Sequence, residues 1–416
     1  MWTSLRVGSL LGIRQIQRAS IWTTLLIIFI MTLTFLNLVG VSGILVGLIE
    51  GSVEANRNQY TGNVFISTPS GDPYIKDTNS IIQTLGSINE VANFSYRYIG
   101  NASAEANYKT RRDQNEVRDT VGSQVAGIDV VREDSVTNLS KYVVEGEYLT
   151  NEDTDSILIG SNLLRQYAAD FGEGFSTLDN ISPGAKIRLT YGDKTKEYTV
   201  KGIVDSKVNE TSLRMFMVES EFVRFFDRYN LNVNEIAVDS KDGISENVLK
   251  NIIVRSVGSD GSSKIQTAEE SIPQFLNDIK IAFGILGNII GGIGIVVASI
   301  TIFIIIFINA ITRRKYIGIL KAIGIKARSI QFAYVLQSIF YAFSGAILGV
   351  AILYGLLVPM VAKNPIDFPF SDGILVAPVE DVMTKVIILM IVTMIAGFIP
   401  AWMIIRKNTL DSILGR

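Results

Sequence analysis

Residues 281–328 read IAFGILGNIIGGIGIVVASITIFIIIFINAIT followed by RRKYIGILKAIGIKAR. The first part, 281–312, holds no charged residue, whereas the second part is rich in Lys and Arg and holds no acid. A helix that spans a membrane needs roughly 20 predominantly apolar residues. The stretch therefore predicts a membrane span that runs directly into a short basic segment on one side of the membrane.

Three further windows without charged residues lie at 21–49, 331–362 and 386–405. Each is long enough to span a bilayer as a helix. A secretory signal is the alternative for the first window, but the apolar part of such a signal is only roughly 7–15 residues long. Buried helices of a soluble domain are the alternative for the others, and such helices rarely run this far without a charge. The windows therefore predict four transmembrane α-helices.

Basic residues are concentrated in some connections between the spans. Residues 1–20, 313–330 and 406–416 carry Lys and Arg with almost no acid, whereas 363–385 holds more acidic than basic residues. Cytoplasmic connections of membrane proteins carry an excess of Lys and Arg. The pattern predicts a multi-pass protein of the cell membrane, with both termini in the cytoplasm and residues 50–280 outside it.

The predicted fold is a membrane protein in which a large extracytoplasmic α+β domain is inserted between the first and second of four spans. The predicted layout, in chain order, is a cytoplasmic amphipathic segment at 1–20, a first span at 21–49, the extracytoplasmic domain at 50–280, a second span at 281–312, a cytoplasmic coupling loop or helix at 313–330, a third span at 331–362, an external loop at 363–385, a fourth span at 386–405 and a cytoplasmic tail at 406–416.

The chain holds no Cys and no His. Disulfides, thiolate nucleophiles, Cys/His metal sites and His-based catalytic triads are thereby excluded. No Gly-x4-Gly-Lys-Ser/Thr phosphate loop occurs, because Gly318 and Gly324 have the wrong spacing and no Lys-Ser/Thr follows them. The near balance of 38 Lys+Arg and 40 Asp+Glu conceals an acidic segment at 50–280. We therefore expect no enzyme activity, no metal or other cofactor bound by this chain, and no nucleic-acid partner.

Residues 50–280 alternate strand-like and helix-like patterns, which is typical of an α+β domain. Gly192-Asp193 between two alternating runs predicts a β-hairpin, and residues 161–169 predict a helix with a serine cap. The mixed-charge run 108–119 is interpreted as a solvated loop or hairpin, with partner docking as the alternative. Acidic pairs such as Glu133-Asp134 are interpreted as surface residues, since no pair suggests the two opposed carboxylates of a glycosidase.

In the basic segment, Ile317, Leu320 and Ile323 recur at helical spacing, and Gly318 and Gly324 bracket the predicted helix. A juxtamembrane anchor held by anionic lipid would explain the charges, with roughly 1 kcal/mol from each Lys or Arg. It does not explain a regular apolar stripe on so short a helix. The stripe favours a docking surface for another protein.

The second span is rich in glycine, including Gly284, Gly287 and Gly291. The Gly287-x-x-x-Gly291 spacing permits close approach of helix backbones. We therefore predict a helix contact at these three positions, either within the bundle or between two copies of the chain, with lipid-facing positions as the alternative. Pro359 and Pro400 predict bends in the third and fourth spans.

Five segments of the chain, taken in order, resemble those of one family. Residues 313–324, RRKYIGILKAIG, are similar to the signature of the FtsX/MacB-type permease domain of ABC transporters and follow the second span, as in that family. The other similar segments are 11–18 before the first span, 145–160 and 183–203 in the external domain, and 400–414 at the end of the chain. The resemblance covers nearly the whole chain and is to the stand-alone permeases, such as the lipoprotein-releasing ones, because no fused ATPase domain is expected.

The resemblance implies a dimeric permease, formed with a second copy or a sister permease, that works with a separate cytosolic ABC ATPase through which ATP acts. It assigns ATPase coupling to Arg313, Arg314, Tyr316, Ile317, Gly318, Leu320, Lys321 and Gly324. Membrane lipid and a periplasmic adaptor or outer-membrane component are further partners that it allows. The implied function is export or extraction of a lipoprotein, peptide, lipid or hydrophobic drug, driven by motion of the external domain. The alternative is a regulatory subunit that activates an external cell-wall hydrolase or signalling partner.

Overall fold

The computed structural model describes residues 2–109, 118–167, 176–258, 263–364, 366–368, 371–373 and 375–406. The chain divides into two compact units. The helical unit comprises Met1–Ile49, Asp278–Ile366 and Gly373–Arg416. The sheet unit comprises Glu50–Asn277 and Asp367–Asp372.

The secondary structure follows the predicted order of spans and inserted domain. The helices are α1 (Trp2–Gln17), α2 (Ile21–Asn56), α3 (Thr78–Ser87), α4 (Val130–Thr137), α5 (Asn209–Ser212), α6 (Glu219–Phe226), α7 (Glu246–Val257), α8 (Gln274–Thr312), α9 (Arg314–Ala322), α10 (Ala327–Ile352), α11 (Val358–Lys363) and α12 (Val379–Ile405). The strands are β1 (Val64–Ser67), β2 (Val91–Ala106), β3 (Asp119–Ile128), β4 (Val143–Gly146), β5 (Ser156–Gly160), β6 (Lys186–Tyr191), β7 (Lys194–Val204), β8 (Arg214–Val218), β9 (Glu235–Ser240), β10 (Lys264–Thr267), β11 (Ile366–Phe368) and β12 (Ser371–Gly373).

Within the described residues, four helical segments are long and apolar enough to cross a membrane. They are Ile21–Thr61, Leu276–Thr312, Ala327–Lys363 and Val379–Met403. The strand-rich region lies between the first and the second of them in the chain, so the predicted fold class is confirmed. Helix α2 continues past the charge-free window to Asn56, and α8 begins before its window at Gln274. Charged residues at a helix end do not stop a helix, so the windows mark apolar content rather than helix ends.

The four long helices of the helical unit share one apolar core. Its buried members include Met31 and Phe35 on α2, Ile302 on α8, Tyr341 on α10 and Leu389 on α12. Gly345 of α10 faces Met31, and Gly349 faces Phe35. A Cβ added at either glycine would overlap the side chain that the glycine faces. Thr32 Oγ1 also donates to the carbonyl oxygen of Gly345 at 3.3 Å. Two glycines thus let α10 approach α2 closely, as small residues do between membrane helices.

Helix α1 packs on α10 in the same manner. A Cβ on Gly8 would lie 2.7 Å from the carbonyl oxygen of Ser329, and one on Gly12 would lie 3.1 Å from that of Ala333. The opposite face of α1 exposes Leu10 and other apolar side chains. The amphipathic segment predicted at 1–20 is therefore a helix that belongs to the bundle.

The two prolines of the spans have different surroundings. A π-helical turn, Leu353–Leu357, separates α10 from α11, in which Pro359 occupies the first turn. Helical geometry therefore changes just before this proline, which has no backbone N–H to donate. Pro400 lies inside α12, which continues to Ile405.

The described part of the sheet unit is built on a ten-stranded sheet, in which nine strands follow the order β10-β1-β9-β2-β3-β8-β5-β7-β4. Strand β6 pairs with both β2 and β7, so β2, β3, β8, β5, β7 and β6 close into a ring. The β3–β8 and β5–β7 pairs are parallel, and the other pairs of the ring are antiparallel. One buried apolar cluster takes side chains from strands all round the ring, including Val125, Ile159, Leu189, Val200 and Met215.

The predicted hairpin is present, with β6 and β7 paired in register from Lys186↔Thr199 to Tyr191↔Lys194. Gly192 supplies the turn with a φ of 56°, a value that glycine adopts without strain.

The helix predicted at 161–169 is wrong in its described part. A single 3-10 turn, Ser161–Leu163, is followed by extended Leu164, which forms a bridge with Leu178. Leu163 and Leu164 are both buried. Adjacent apolar residues also occur on the apolar face of a helix, so the sequence pattern favoured a helix here.

The charged run at 108–119 lies mostly outside the described residues. Its described start is held against the hairpin, because Lys109 Nζ lies 2.7 Å from Glu197 Oε2 and the Tyr108 hydroxyl donates to the same carboxylate.

The surface interpretation of Glu133 is wrong. Glu133 is buried and accepts hydrogen bonds from the guanidinium of Arg97.

Candidate functional site

The predicted coupling segment is the helix α9, which begins directly after α8. It ends in a Schellman motif, in which the Ile325 amide donates to the Leu320 carbonyl at 3.0 Å and the Gly324 amide donates to the Lys321 carbonyl at 3.1 Å. Gly324 has a φ of 92°, which explains a glycine at this position. Gly318 lies inside α9 and does not bracket it, so that part of the prediction is wrong.

Helix α9 has a buried face and an exposed face. Ile317 is 3% exposed and belongs to the core of the helical unit, and Leu320 packs against the same core. By contrast, Ile323, the third member of the predicted stripe, is 70% exposed. The stripe of Ile317, Leu320 and Ile323 is therefore not one docking surface, because Ile317 is buried and Leu320 is partly buried against the core of the helical unit.

The exposed apolar side chains of α9 and its last turn are Tyr316, Ile319 and Ile323. Tyr316 is 70% exposed and Ile319 is 51% exposed. Residues three and four apart are neighbours on a helix surface, so these three side chains form one patch, which we call the α9 face. The sequence signal for Tyr316 was its place in the family motif. Nothing in the sequence separated Ile319 from Ile317, because both are apolar and only the packing of the bundle covers one of them.

Basic residues lie next to the α9 face in the chain. Lys315, Lys326 and Arg328 are exposed. Lys321 instead turns towards the bundle, where its ammonium donates to the carbonyl oxygen of Ile405 at 2.9 Å. This bond satisfies a carbonyl in the last turn of α12, where a helix leaves such groups without partners of its own. An apolar patch within a cationic rim can bind a groove that is apolar at its centre and acidic at its edge.

The remaining residues of the predicted coupling set lie at the start of α9. Arg313 precedes the helix and lines a polar cavity together with Tyr334 and Gln337. Arg314 is the first residue of α9 and makes polar or electrostatic contacts. The segment assigned to coupling therefore contains groups with three different surroundings, namely the α9 face, the bundle core and the cavity.

The three glycines predicted as a helix contact also differ. A Cβ on Gly287 would lie 3.2 Å from Leu45 Cδ1, and one on Gly291 would lie 3.0 Å from Leu38 Cδ1. Both glycines therefore face α2 of the same chain. Gly284 has no atom of the described residues within 4 Å of such a Cβ. Sequence reasoning missed the tighter glycine contacts at Gly345 and Gly349, although Gly345-x-x-x-Gly349 has the same spacing as Gly287-x-x-x-Gly291 and could have indicated them.

Comparison with known proteins points to one family. Residues 288–409 match the family model described as FtsX-like permease C-terminal, a range that includes all of α9, α10 and α11. The macrolide export ATP-binding/permease protein MacB of Campylobacter jejuni is 24% identical over 207 residues, which are 47% of this chain. The aligned part spans 31% of that relative's length.

Two solved structures are similar to about half of this chain at low scores. The periplasmic region of MacB from Actinobacillus actinomycetemcomitans has a TM-score of 0.35 at 14% identity, and covers 52% of this chain and 94% of its own. The extracellular domain of the noncanonic ABC-type transporter YknZ from Gram-positive bacteria has a TM-score of 0.31 at 13% identity, and covers 49% of this chain and 98% of its own.

Proposed function

We propose that this chain, in which residues 288–409 match an FtsX-like permease domain, is the membrane subunit of an ABC transporter. The family match and the sequence relative support the FtsX/MacB-type resemblance on which this proposal is based. A separate ATPase subunit would hydrolyse ATP. The observation that carries the proposal is the α9 face, which lies between two spans within the matched domain and exposes apolar side chains inside a basic rim.

The ATPase subunit would dock on Tyr316, Ile319 and Ile323, on the cytoplasmic side. Aromatic and aliphatic side chains that enter a pocket of the partner supply most of the binding energy of an interface, whereas charges at its rim mainly steer association. Ile317 and Leu320 would transmit the force rather than bind the partner, because both belong to the core of the bundle. A displacement of α9 then moves α8 and α10 with it.

The motion would reach residues 50–277 through the long helices. Helices α2 and α8 both extend beyond their charge-free windows as continuous helices. A continuous hydrogen-bonded helix is stiff over such lengths, so it can pass on a displacement. The substrate class would be a lipoprotein, peptide, lipid or hydrophobic drug moved outwards, with a second permease copy completing the assembly. No cofactor on this chain is needed for such a role.

Co-purification of the full chain with an ABC ATPase subunit of the same cell tests the proposal. The test variant carries Ile319→Asp and Ile323→Asp, and the control variant carries Val131→Asp and Tyr229→Asp, which are 67% and 73% exposed in the sheet unit. We expect the test variant to lose at least roughly tenfold of the bound ATPase, since burying an unpaired carboxylate in an apolar interface is costly. We expect the control variant to bind like the wild type. Equal binding by wild type and test variant would show that α9 is not the docking site.

A further inference from the structure

A polar cavity with a volume of about 130 Å³ lies inside the helical unit, where α1, α2, α8 and α10 meet. Its wall includes Ser20 and Thr23 at the start of α2, Arg313 after α8, and Tyr334, Gln337 and Tyr341 on α10. A single water needs only about 10–15 Å³ of such volume. The cavity therefore has room for a polar group larger than one water.

The Tyr334 hydroxyl in this wall has no hydrogen-bond partner within the described part of the chain, although Tyr334 is only 1% exposed. Its neighbours are paired, since Gln337 Nε2 donates to the Tyr341 hydroxyl at 2.8 Å. A buried hydroxyl that makes no hydrogen bond costs roughly 1–3 kcal/mol. The Tyr334 hydroxyl can donate, so an acceptor on a bound molecule would remove this cost.

The charge of the cavity selects the kind of acceptor. Arg313 is a cation in its wall, and none of the described residues that line it is acidic. The first intrahelical bond of α2 runs from the Thr24 amide to the Ser20 carbonyl at 3.0 Å, so the α2 amides that come before Thr24 are at the helix start beside the cavity. The N-terminus of a helix carries partial positive charge and donates to anions. A guanidinium, a helix N-terminus and a free hydroxyl all favour a ligand with several anionic oxygens.

We propose that this cavity binds a phosphate group, with Arg313 and the start of α2 facing its charge and the Tyr334 hydroxyl donating to one of its oxygens. Arg pairs with phosphate through two parallel N–H donors. Basic pockets between membrane helices bind phospholipid headgroups. The phosphate comes from an anionic phospholipid or from free inorganic phosphate, which present the same acceptor oxygens.

The position of Arg313 gives the ligand a further consequence. Arg313 is the residue between the end of α8 and the start of α9. A phosphate bound to its guanidinium therefore contacts the joint that precedes the α9 face. Occupancy of the cavity would restrain the angle between the two helices, independently of which protein docks on α9.

The test compares the full chain with Arg313→Gln, Tyr334→Phe and the control Arg328→Gln, in which an exposed arginine outside the cavity wall is changed. Each protein is reconstituted in nanodiscs of phosphatidylglycerol or of phosphatidylcholine, and retained lipid is counted by native mass spectrometry. In a second arm, the thermal midpoint is measured in lipid-free detergent with and without inorganic phosphate. Tyr334→Phe keeps the ring, so it removes the hydroxyl without emptying the core.

We expect the wild type and Arg328→Gln to retain phosphatidylglycerol and both cavity variants to retain it at least roughly tenfold less, since a hydrogen bond to a charged group is worth that much. A rise in the thermal midpoint with inorganic phosphate alone, lost in both cavity variants, would identify free phosphate as the ligand instead. The proposal is overturned if all four proteins respond alike in both arms, which would leave the cavity to water.

Discussion

Arg97 Nη2 donates to Glu133 Oε1 at 2.7 Å, and both side chains are 2% exposed. The same guanidinium reaches Glu235 Oε2 at 3.2 Å, and Glu235 also accepts two hydrogen bonds from Arg214. Charges this deep are tolerated only when each is paired and hydrogen-bonded. The network joins β2, α4, β8 and β9, and it includes the Tyr60 hydroxyl, which donates to Glu235 at 2.9 Å.

Removal of the central cation should destabilise the sheet unit strongly. Arg97→Met leaves Glu133 buried without its cation, and breaking one side of a buried ion pair costs about 3–5 kcal/mol. We expect a markedly lower thermal midpoint for the full chain in detergent. The control Arg132→Met changes an exposed residue of α4, the helix that carries Glu133, and Arg132 pairs with Asp129. An exposed ion pair of this kind contributes at most about 1 kcal/mol. Similar midpoints for the two variants would contradict a stabilising role of the network.

The same network predicts a loss of stability in acid. Burial on its own raises the pKa of Glu235, but the charges of Arg214 and Arg97 and their hydrogen bonds outweigh it and lower that pKa from 4.5 to about 2. A carboxyl with a lowered pKa in the folded state stabilises the fold above its unfolded pKa, and this contribution disappears as the pH falls through the folded value.

We therefore expect the free energy of unfolding of the wild type to fall as the pH drops from about 4.5 towards 2. In Glu235→Gln this component should be absent, so its stability should be lower at neutral pH and change less across this window. Denaturant titrations at a series of pH values measure the difference. Parallel pH curves for the two proteins would exclude Glu235 as the responsible group.

The two faces of α9 should respond differently to truncation. Ile317→Ala empties a position in the bundle core, and removing a buried isoleucine side chain costs about 2–5 kcal/mol. Ile319→Ala removes an exposed side chain and should change stability by no more than about 0.5 kcal/mol. Thermal unfolding of the purified full chain separates the two. If Ile319→Ala were as destabilising as Ile317→Ala, the α9 face would not be free for a partner.

The glycine contacts between α10 and α2 give a steric prediction. Gly345→Ala places a methyl group against Met31 and the backbone at Thr32, and overpacking of this kind costs about 1–3 kcal/mol. Gly292→Ala serves as the control, because a Cβ there meets no described atom within 4 Å and alanine favours the helix by up to about 1 kcal/mol. The thermal midpoint should fall for the first variant and stay level or rise for the second. The reverse order would contradict the packing of α2 on α10.

The proposed orientation can be tested by cysteine labelling without background from native thiols, because the chain has no Cys. Tyr229→Cys and Ile323→Cys place one thiol each at exposed positions of the sheet unit and of α9. A membrane-impermeant maleimide should label Tyr229→Cys in intact spheroplasts and Ile323→Cys only after the membrane is permeabilised. Labelling of Ile323→Cys in intact spheroplasts would overturn the orientation predicted from the basic connections.

The sequence by itself determined the order of spans and inserted domain. Hydropathy over a window of bilayer length is a local property, because a spanning helix satisfies its own backbone hydrogen bonds and needs only apolar side chains. The motif at 313–324 likewise indicated the FtsX-like permease domain that the family model matches over residues 288–409. The hairpin at Gly192 was predictable because its turn depends on two residues.

Only the tertiary structure decided which side chains of α9 are free, because Ile317 and Ile319 are the same residue type and differ solely in what packs against them. The ring closure by β6 also joins residues far apart in the chain, such as Ser103 and Thr190. Glu133 looked like a surface acid until Arg97, on another element, was placed beside it. Burial, ion pairing and cavities are set by contacts between distant segments, and such contacts leave no local pattern in the chain.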